Sequence, residues 1–106
     1  MAKFLIEANY TADGIKGLQV EGATARVRLA HMIAESLGGK CDGFYWCFGD
    51  RDVVALFDLP DAVSITALAM AVSASGSVRA KTTPLLAASD MDEALKKSVA
   101  FKSPGR

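Results

Sequence analysis

Residues 40–59, KCDGFYWCFGDRDVVALFDL, decide the fold. An aromatic-rich segment, Lys40–Phe48, precedes the turn-forming residues Gly49–Asp52, and an alternating apolar segment, Val53–Leu59, follows them. Two strand-like segments flanking a short polar turn predict a β-hairpin. A two-residue loop at Asp50-Arg51 would place Phe48 opposite Val53.

Alternation along this hairpin separates two faces, because successive side chains of a strand point to opposite sides. One face is wholly apolar and collects Phe44, Trp46, Phe48, Val53, Ala55, Phe57 and Leu59. The other face is mixed and collects Tyr45, Cys47, Asp52, Val54, Leu56 and Asp58. A one-residue slip would expose five large apolar side chains, so we expect the apolar face to lie beneath helices.

The other elements follow from periodicity and from helix start and stop signals. In chain order they are a strand at 3–10, a helix from 12 interrupted at 19–22 and resumed at 23–37, a helix at 62–75, a strand at 77–83, and a short helix from 89 or 90 to about 100. With the hairpin, this order is that of the ferredoxin-like α+β fold, βαββαβ plus a C-terminal helix. Right-handed crossovers then predict one domain, residues 1–106, with a four-stranded antiparallel sheet in the order 4-1-3-2 and both main helices on one face.

The face away from the helices is called the open face below. To the mixed face of the hairpin it adds residues from the first strand, Leu5, Glu7 and Asn9, and from the fourth strand, Arg79, Lys81 and Thr83. Burial of a large apolar side chain such as Leu5 or Leu56 stabilises a protein by about 1.5–3 kcal/mol relative to leaving it in water. The helix at 62–74 has no charged residue, which indicates burial on more than one side. We therefore expect a homodimer in which two open faces pack together, or a higher oligomer.

The candidate ligand-binding residues all lie on the predicted open face: Glu7, Asn9, Tyr45, Asp52, Arg79 and Lys81. Convergent charged groups enclosed between two subunits can bind a small polar molecule. Alternatively, Glu7 pairs with Arg79 or Lys81 on a neighbouring strand and these charges only satisfy one another.

Other partner classes receive little support. Twelve basic and twelve acidic residues balance, which argues against a nucleic-acid partner. No apolar run reaches the roughly 18–20 residues needed to span a bilayer, and residues 1–10 lack a signal-peptide pattern, so we expect a cytoplasmic protein without a membrane partner. Cys41 and Cys47 would lie about 20 Å apart on one strand, too far for a disulfide, and are expected to be reduced thiols.

No residue is assigned a catalytic role. Asp50 and Asp52 flank a turn, where aspartate commonly accepts backbone hydrogen bonds, and two carboxylates are too few for a metal site. His31 is expected to form a surface pair with Glu35. No cofactor motif is found, because the glycines at 14 and 17 lack the spacing of a nucleotide-binding loop.

Several of these segments together resemble the GYD domain family of small bacterial proteins. They are Tyr10-Thr11 with Gly14-Ile15-Lys16, Ala34 to Lys40, Phe44-Tyr45-Trp46, Gly49 to Val54, Leu59-Pro60-Asp61 and Gly76 to Arg79. The family takes its name from a Gly-Tyr-Asp element at the end of this hairpin, where this chain has Arg51 in place of the frequent aromatic residue. The resemblance implies a ferredoxin-like fold of the dimeric α/β-barrel kind and no established activity.

Three interpretations of function remain open at this point. The first is a homodimeric module that binds a small polar molecule between the open faces. The second is an enzyme of the cofactor-independent monooxygenase or isomerase type that uses the barrel interior, since similar barrels include such enzymes. The third is a structural or interaction module with no ligand, because a fold alone does not determine function.

Overall fold

The computed structural model describes residues 1–106 and contains four strands and four helices. In chain order these are β1 (Ala2–Tyr10), α1 (Ala12–Glu21), α2 (Ala23–Ser36), β2 (Lys40–Trp46), β3 (Val53–Leu59), α3 (Ala62–Ala74), β4 (Val78–Leu85) and α4 (Ala88–Leu95). The strands form one antiparallel sheet in the order β2-β3-β1-β4, which is the predicted order read from the other edge. None of the helices is both long and apolar enough to span a membrane.

One hydrophobic core lies between the sheet and the helices α2 and α3. Its ten buried members are Phe4, Ile6, Ala30, Ala34, Cys41, Ala55, Phe57, Leu59, Ile65 and Leu68. Phe57 is 4% exposed, whereas its neighbour Leu56 is 37% exposed and Tyr45 is 66% exposed. The predicted assignment of the two faces of the hairpin is therefore confirmed.

The hairpin loop is longer than predicted. Trp46, not Phe48, lies opposite Val53, and the backbone N–H of Cys47 donates to the Asp52 carbonyl at 2.8 Å. Phe48 lies in the loop and is 73% exposed, so its predicted place in the core is wrong. The register moves by two residues, and an even shift leaves every paired side chain on its predicted face.

A β-bulge interrupts β2 between Cys41 and Gly43, where the pairing with β3 changes register. One additional residue, Asp42, is accommodated on the β2 side, and the alternation of side chains is reversed across it. Cys41 consequently points into the core, although it is an odd number of residues from Phe44 on the same face.

Helices α1 and α2 are separated by a single residue, Gly22, which has φ of 89°. This conformation is accessible to glycine at little cost and ends the first helix. The predicted interruption at 19–22 is therefore confined to its last residue. Thr11 begins α1, and its Oγ1 accepts a hydrogen bond from the Gly14 N–H at 3.2 Å.

Helix α3 buries Ile65 and Leu68 on one side only, and Val63 and Met70 on its outer side are 77% and 63% exposed. The expected burial of this helix on more than one side is thus not met within a single chain. On β4, Val78 and Ala80 both lie on the helix side of the sheet, and Val78 is half-buried whereas Ala80 is exposed.

The last segment, residues 86–106, is called the C-terminal arm below. Every residue in it is exposed. Its helix, α4, ends at Leu95 and not near Ala100 as predicted. An isolated short helix is marginal in water, and the arm has no packing surface that would support further turns.

Candidate functional site

The sheet register places the predicted site residues in two adjacent rows across the open face. Tyr45 pairs with Val54, Val54 with Glu7, and Glu7 with Lys81. In the next row Asn9 pairs with Arg79. The structure therefore brings the candidate residues to one half of the face, near the hairpin loop.

Two of the candidate residues form hydrogen bonds to the backbone. Asn9 Oδ1 accepts a hydrogen bond from the Asp52 N–H at 3.1 Å, and Asp52 Oδ2 accepts one from the Tyr10 N–H at 2.9 Å. These reciprocal bonds fasten the start of β3 to the end of β1. Because both side-chain acceptors have backbone partners, Asn9 and Asp52 stabilise the hairpin entry.

The charges of β4 have no partner in the chain. Glu7 Oε2 lies 4.0 Å from Arg51 Nε, and neither Arg79 nor Lys81 forms an ion pair. The alternative in which Glu7 is neutralised by Arg79 or Lys81 is therefore not realised, because the loop arginine takes that place. Two exposed cations remain at the β4 edge of the open face.

The middle of the open face is apolar. Tyr45 lies against Gly43, because a Cβ atom built on Gly43 would come within 2.8 Å of Tyr45 Cε2. Gly43 pairs with Leu56, and Leu56 pairs with Leu5. An aromatic ring and a row of leucines thus adjoin the row that carries Glu7 and Lys81.

A charged cluster lies at the far end of the open face. Lys3 Nζ contacts Asp42 Oδ2 at 2.7 Å and Asp58 Oδ2 at 3.1 Å, and Lys40 Nζ lies 3.7 Å from Asp42 Oδ1. The hydrogen bond from Lys3 holds the pKa of Asp42 below its usual value, and the bonds to Asp42 and then Asp58 raise the pKa of Lys3. Asp58 is buried, and its Oδ1 has no hydrogen-bond partner. Sequence reasoning missed this cluster, because the bulge at Asp42 creates it.

Sequence reasoning also missed a cavity on the other side of the sheet, which is called the helix-side cavity below. It measures about 360 Å³ and lies between the sheet and the helices α1, α2 and α3. Buried alanines line it, Ala8 and Ala55 from the sheet and Ala30 from α2. Exposed or half-buried polar residues, among them Asp13 and Arg26, lie at its edge.

The size of this cavity is large for so small a domain. At about 24 cal/mol per Å³, a closed, empty apolar cavity of this volume would cost at most about 9 kcal/mol. Domains of this size have a total stability of about 5–15 kcal/mol. The helix-side cavity opens to solvent past the exposed residues Gly17, Glu21 and Leu29, so its actual cost is below that upper limit. The signal in the sequence is small residues, alanine and glycine, at positions that face the core.

The remaining candidates are separate from these features. Cys41 is buried, and burial raises the pKa of its thiol. Cys47 is half-buried, and its Sγ lies 3.2 Å from the Arg51 carbonyl oxygen. His31 is exposed and forms no ion pair with Glu35, so that predicted surface pair is not present. No group of three or more metal-ligating side chains is found.

Comparison with known proteins gives one match. Residues 4–95 match the family described as the GYD domain. No curated protein and no solved structure matches the chain.

Proposed function

The chain belongs to the GYD domain family, whose function is unknown, and we propose its role from the arrangement of residues on the sheet. The protein is a homodimeric module that binds a small, negatively charged polar molecule between two open faces. The observation that carries this proposal is the pair of exposed cations, Arg79 and Lys81, without counter-ions beside an apolar platform. A guanidinium and an ammonium on adjacent rows of a strand suit a carboxylate or phosphate group.

The homodimer is supported by the apolar part of the open face. Leu56 and Tyr45 lie in the centre of the sheet surface and are 37% and 66% exposed. A second copy with the same pattern would cover them and would exclude water from the neighbouring charges. Exclusion of water lowers the effective dielectric constant and strengthens the attraction between the cations and an anionic ligand.

The dimer is tested by a charge placed on the platform. We expect Leu56→Glu to convert the protein from about twice 11.2 kDa to 11.2 kDa in sedimentation velocity, because a buried unpaired carboxylate opposes association. The matched control is Val63→Glu, the same kind of change on the exposed side of α3. Dissociation by Val63→Glu alone would assign the interface to α3 and contradict the proposal.

Binding is tested with citrate and inorganic phosphate as probes in isothermal titration calorimetry. We expect the double variant Arg79→Ala/Lys81→Ala to bind the better probe at least tenfold more weakly than the unchanged protein, because loss of a charge-assisted hydrogen bond costs roughly 1.5–3 kcal/mol. Lys16→Ala/Arg28→Ala removes one lysine and one arginine from exposed helix positions and serves as the control. Equal weakening by both double variants would show only a general charge effect and would contradict the site.

A further inference from the structure

We propose that the helix-side cavity is a second binding site, for a flat and uncharged aromatic molecule with one hydrogen-bond acceptor. The cavity lies on the opposite side of the sheet from Arg79 and Lys81, so this site is independent of the one proposed above.

The volume indicates the size of the ligand. An apolar cavity of about 150 Å³ accepts one benzene ring, and small-molecule pockets begin at about 300 Å³. The 360 Å³ of the helix-side cavity correspond to roughly two fused rings.

The lining indicates an apolar and flat ligand. Ala8, Ala30 and Ala55 are 4%, 6% and 2% exposed and form the buried part of the lining, where a larger side chain would reduce the volume of the cavity. Gly17 on α1 also lines the cavity, and a Cβ atom there would have no neighbour within 4 Å. Phe44 contributes an aromatic wall.

Hydroxyl groups of Tyr10, Ser75 and Ser77 belong to this lining, and that of Tyr10 has a donor to spare. The Tyr10 hydroxyl oxygen accepts a hydrogen bond from Trp46 Nε1 at 3.0 Å, and no acceptor in the chain receives the Tyr10 O–H hydrogen. A hydroxyl that has accepted one bond can still donate one. The free donor thus fits a carbonyl or ether oxygen of a ligand.

The edge of the cavity favours an uncharged ligand over an anion. Asp13 and Glu21 lie there with one cation, Arg26. Arg26 is already paired with Glu21, at 2.8 Å between Nε and Oε1. A second anion at this edge would meet the Asp13 carboxylate without a free cation to balance it.

The test uses 2-acetylnaphthalene, a bicyclic ketone, with the 106-residue chain. We expect saturable 1:1 quenching of the fluorescence of Trp46, the single tryptophan, whose ring lies 5.0 Å from that of Phe44. We also expect the methyl NMR signals of Ala30 and Ala55 to shift on titration, while the exposed Ala67 on α3 does not respond.

Variants give the decisive comparison. We expect Ala30→Leu and Ala55→Leu to bind 2-acetylnaphthalene at least tenfold more weakly, because the added side chain occupies the cavity. Ala67→Leu, the same substitution at an exposed position, is the control. Thermal unfolding checks that each variant folds. The second test is Tyr10→Phe, which keeps the ring and removes the hydroxyl. Tyr10→Phe should weaken binding of 2-acetylnaphthalene more than binding of naphthalene, which has no acceptor.

Three results would overturn the proposal. The first is an absence of saturable binding, and the second is unchanged affinity in both folded leucine variants. The third is a nuclear Overhauser contact between Phe101 and Ala55 in the protein without probe, which would show that the C-terminal arm fills the cavity.

Discussion

The two cysteines illustrate how a single residue's environment sets its chemistry. Burial raises the pKa of Cys41 and lowers its thiolate fraction, and only the thiolate is nucleophilic. Cys47 is half-buried in the hairpin loop and is the more accessible thiol. We expect one rapidly reacting thiol per chain with 5,5′-dithiobis(2-nitrobenzoate) at pH 8. Cys47→Ser should remove the fast phase and Cys41→Ser should leave it, whereas two equally fast thiols would contradict the assignment.

The Lys3–Asp42 pair determines a pH dependence. In the folded state the pKa of Asp42 is lowered, chiefly by the hydrogen bond from Lys3. Its contribution to stability is therefore present above the unfolded pKa of about 4 and is lost as the pH falls through the folded pKa. The pKa of Lys3 is raised above 10.5, so its contribution is present below that value and is lost as the pH rises through the folded pKa.

The measurement is urea unfolding of the unchanged protein and of Asp42→Asn between pH 3 and pH 7. We expect the stability difference to be largest near neutral pH and to shrink as the pH falls below about 4, because the unfolded chain then takes up a proton at Asp42 that the folded state binds less readily. Asp50→Asn, in the exposed hairpin loop, is the control. A difference that does not change with pH would show that the Asp42 charge contributes nothing.

Single residues also show where prediction from the sequence stops. Alternation placed Tyr45, Leu56 and Phe57 correctly, because a period of two holds wherever a strand is regular. Phe48 was placed wrongly. Asp52 is hydrogen-bonded to Asn9 and Tyr10 of β1, and these bonds lengthen the hairpin loop so that it includes Phe48. Such tertiary bonds leave no local pattern in the sequence.

At the scale of elements, α1 depends on its first residue. Thr11 Oγ1 accepts from the Gly14 N–H and also donates to the Gly76 carbonyl at 3.0 Å, so it joins the start of α1 to the turn before β4. We expect Thr11→Ala to lower the free energy of unfolding by about 1 kcal/mol, as is typical for loss of an N-cap. Urea denaturation measures this, and Thr11→Ser, which keeps the hydroxyl, should retain most of the stability. A loss in the serine variant equal to that of alanine would assign the effect to the threonine methyl group.

The position of α1 is also fixed by close packing of Gly14 against the backbone at Ser77. A Cβ atom on Gly14 would lie 2.0 Å from the Ser77 carbonyl oxygen, so only glycine lets α1 come this near to β4. The sequence predicted a helix from residue 12 but not this contact, which depends on the position to which the crossover brings the chain back. The same crossover places α1 over the helix-side cavity, so the small residues that face the core did not by themselves reveal that cavity.

At the scale of the whole molecule, the radius of gyration is 16.9 Å, against about 13 Å for a compact domain of this length. The order of elements and of strands was predictable, because short connections and right-handed crossovers leave few alternatives. The extended shape was not predictable, since the pattern of the short final helix does not indicate whether it packs against its own domain. The exposed C-terminal arm contributes to the difference.

The arm carries apolar residues that only another surface could bury: Leu86, Met91, Leu95, Val99 and Phe101. Its charges are acidic between residues 88 and 95 and basic between residues 96 and 106. We expect removal of residues 86–106 to leave the free energy of unfolding of the isolated domain unchanged within about 0.5 kcal/mol, because the lost residues are exposed in the single chain. The same truncation should weaken the proposed dimer at least tenfold in sedimentation equilibrium.

Removal of residues 102–106 alone is the control for this truncation, because it leaves α4 and Phe101 in place. The shorter deletion should change neither stability nor association. If removal of residues 86–106 lowered stability at concentrations where the protein is a monomer, the arm would pack on its own domain in solution. If it left the dimer unchanged, the open faces alone would hold two copies together, and the arm would have no part in the interface.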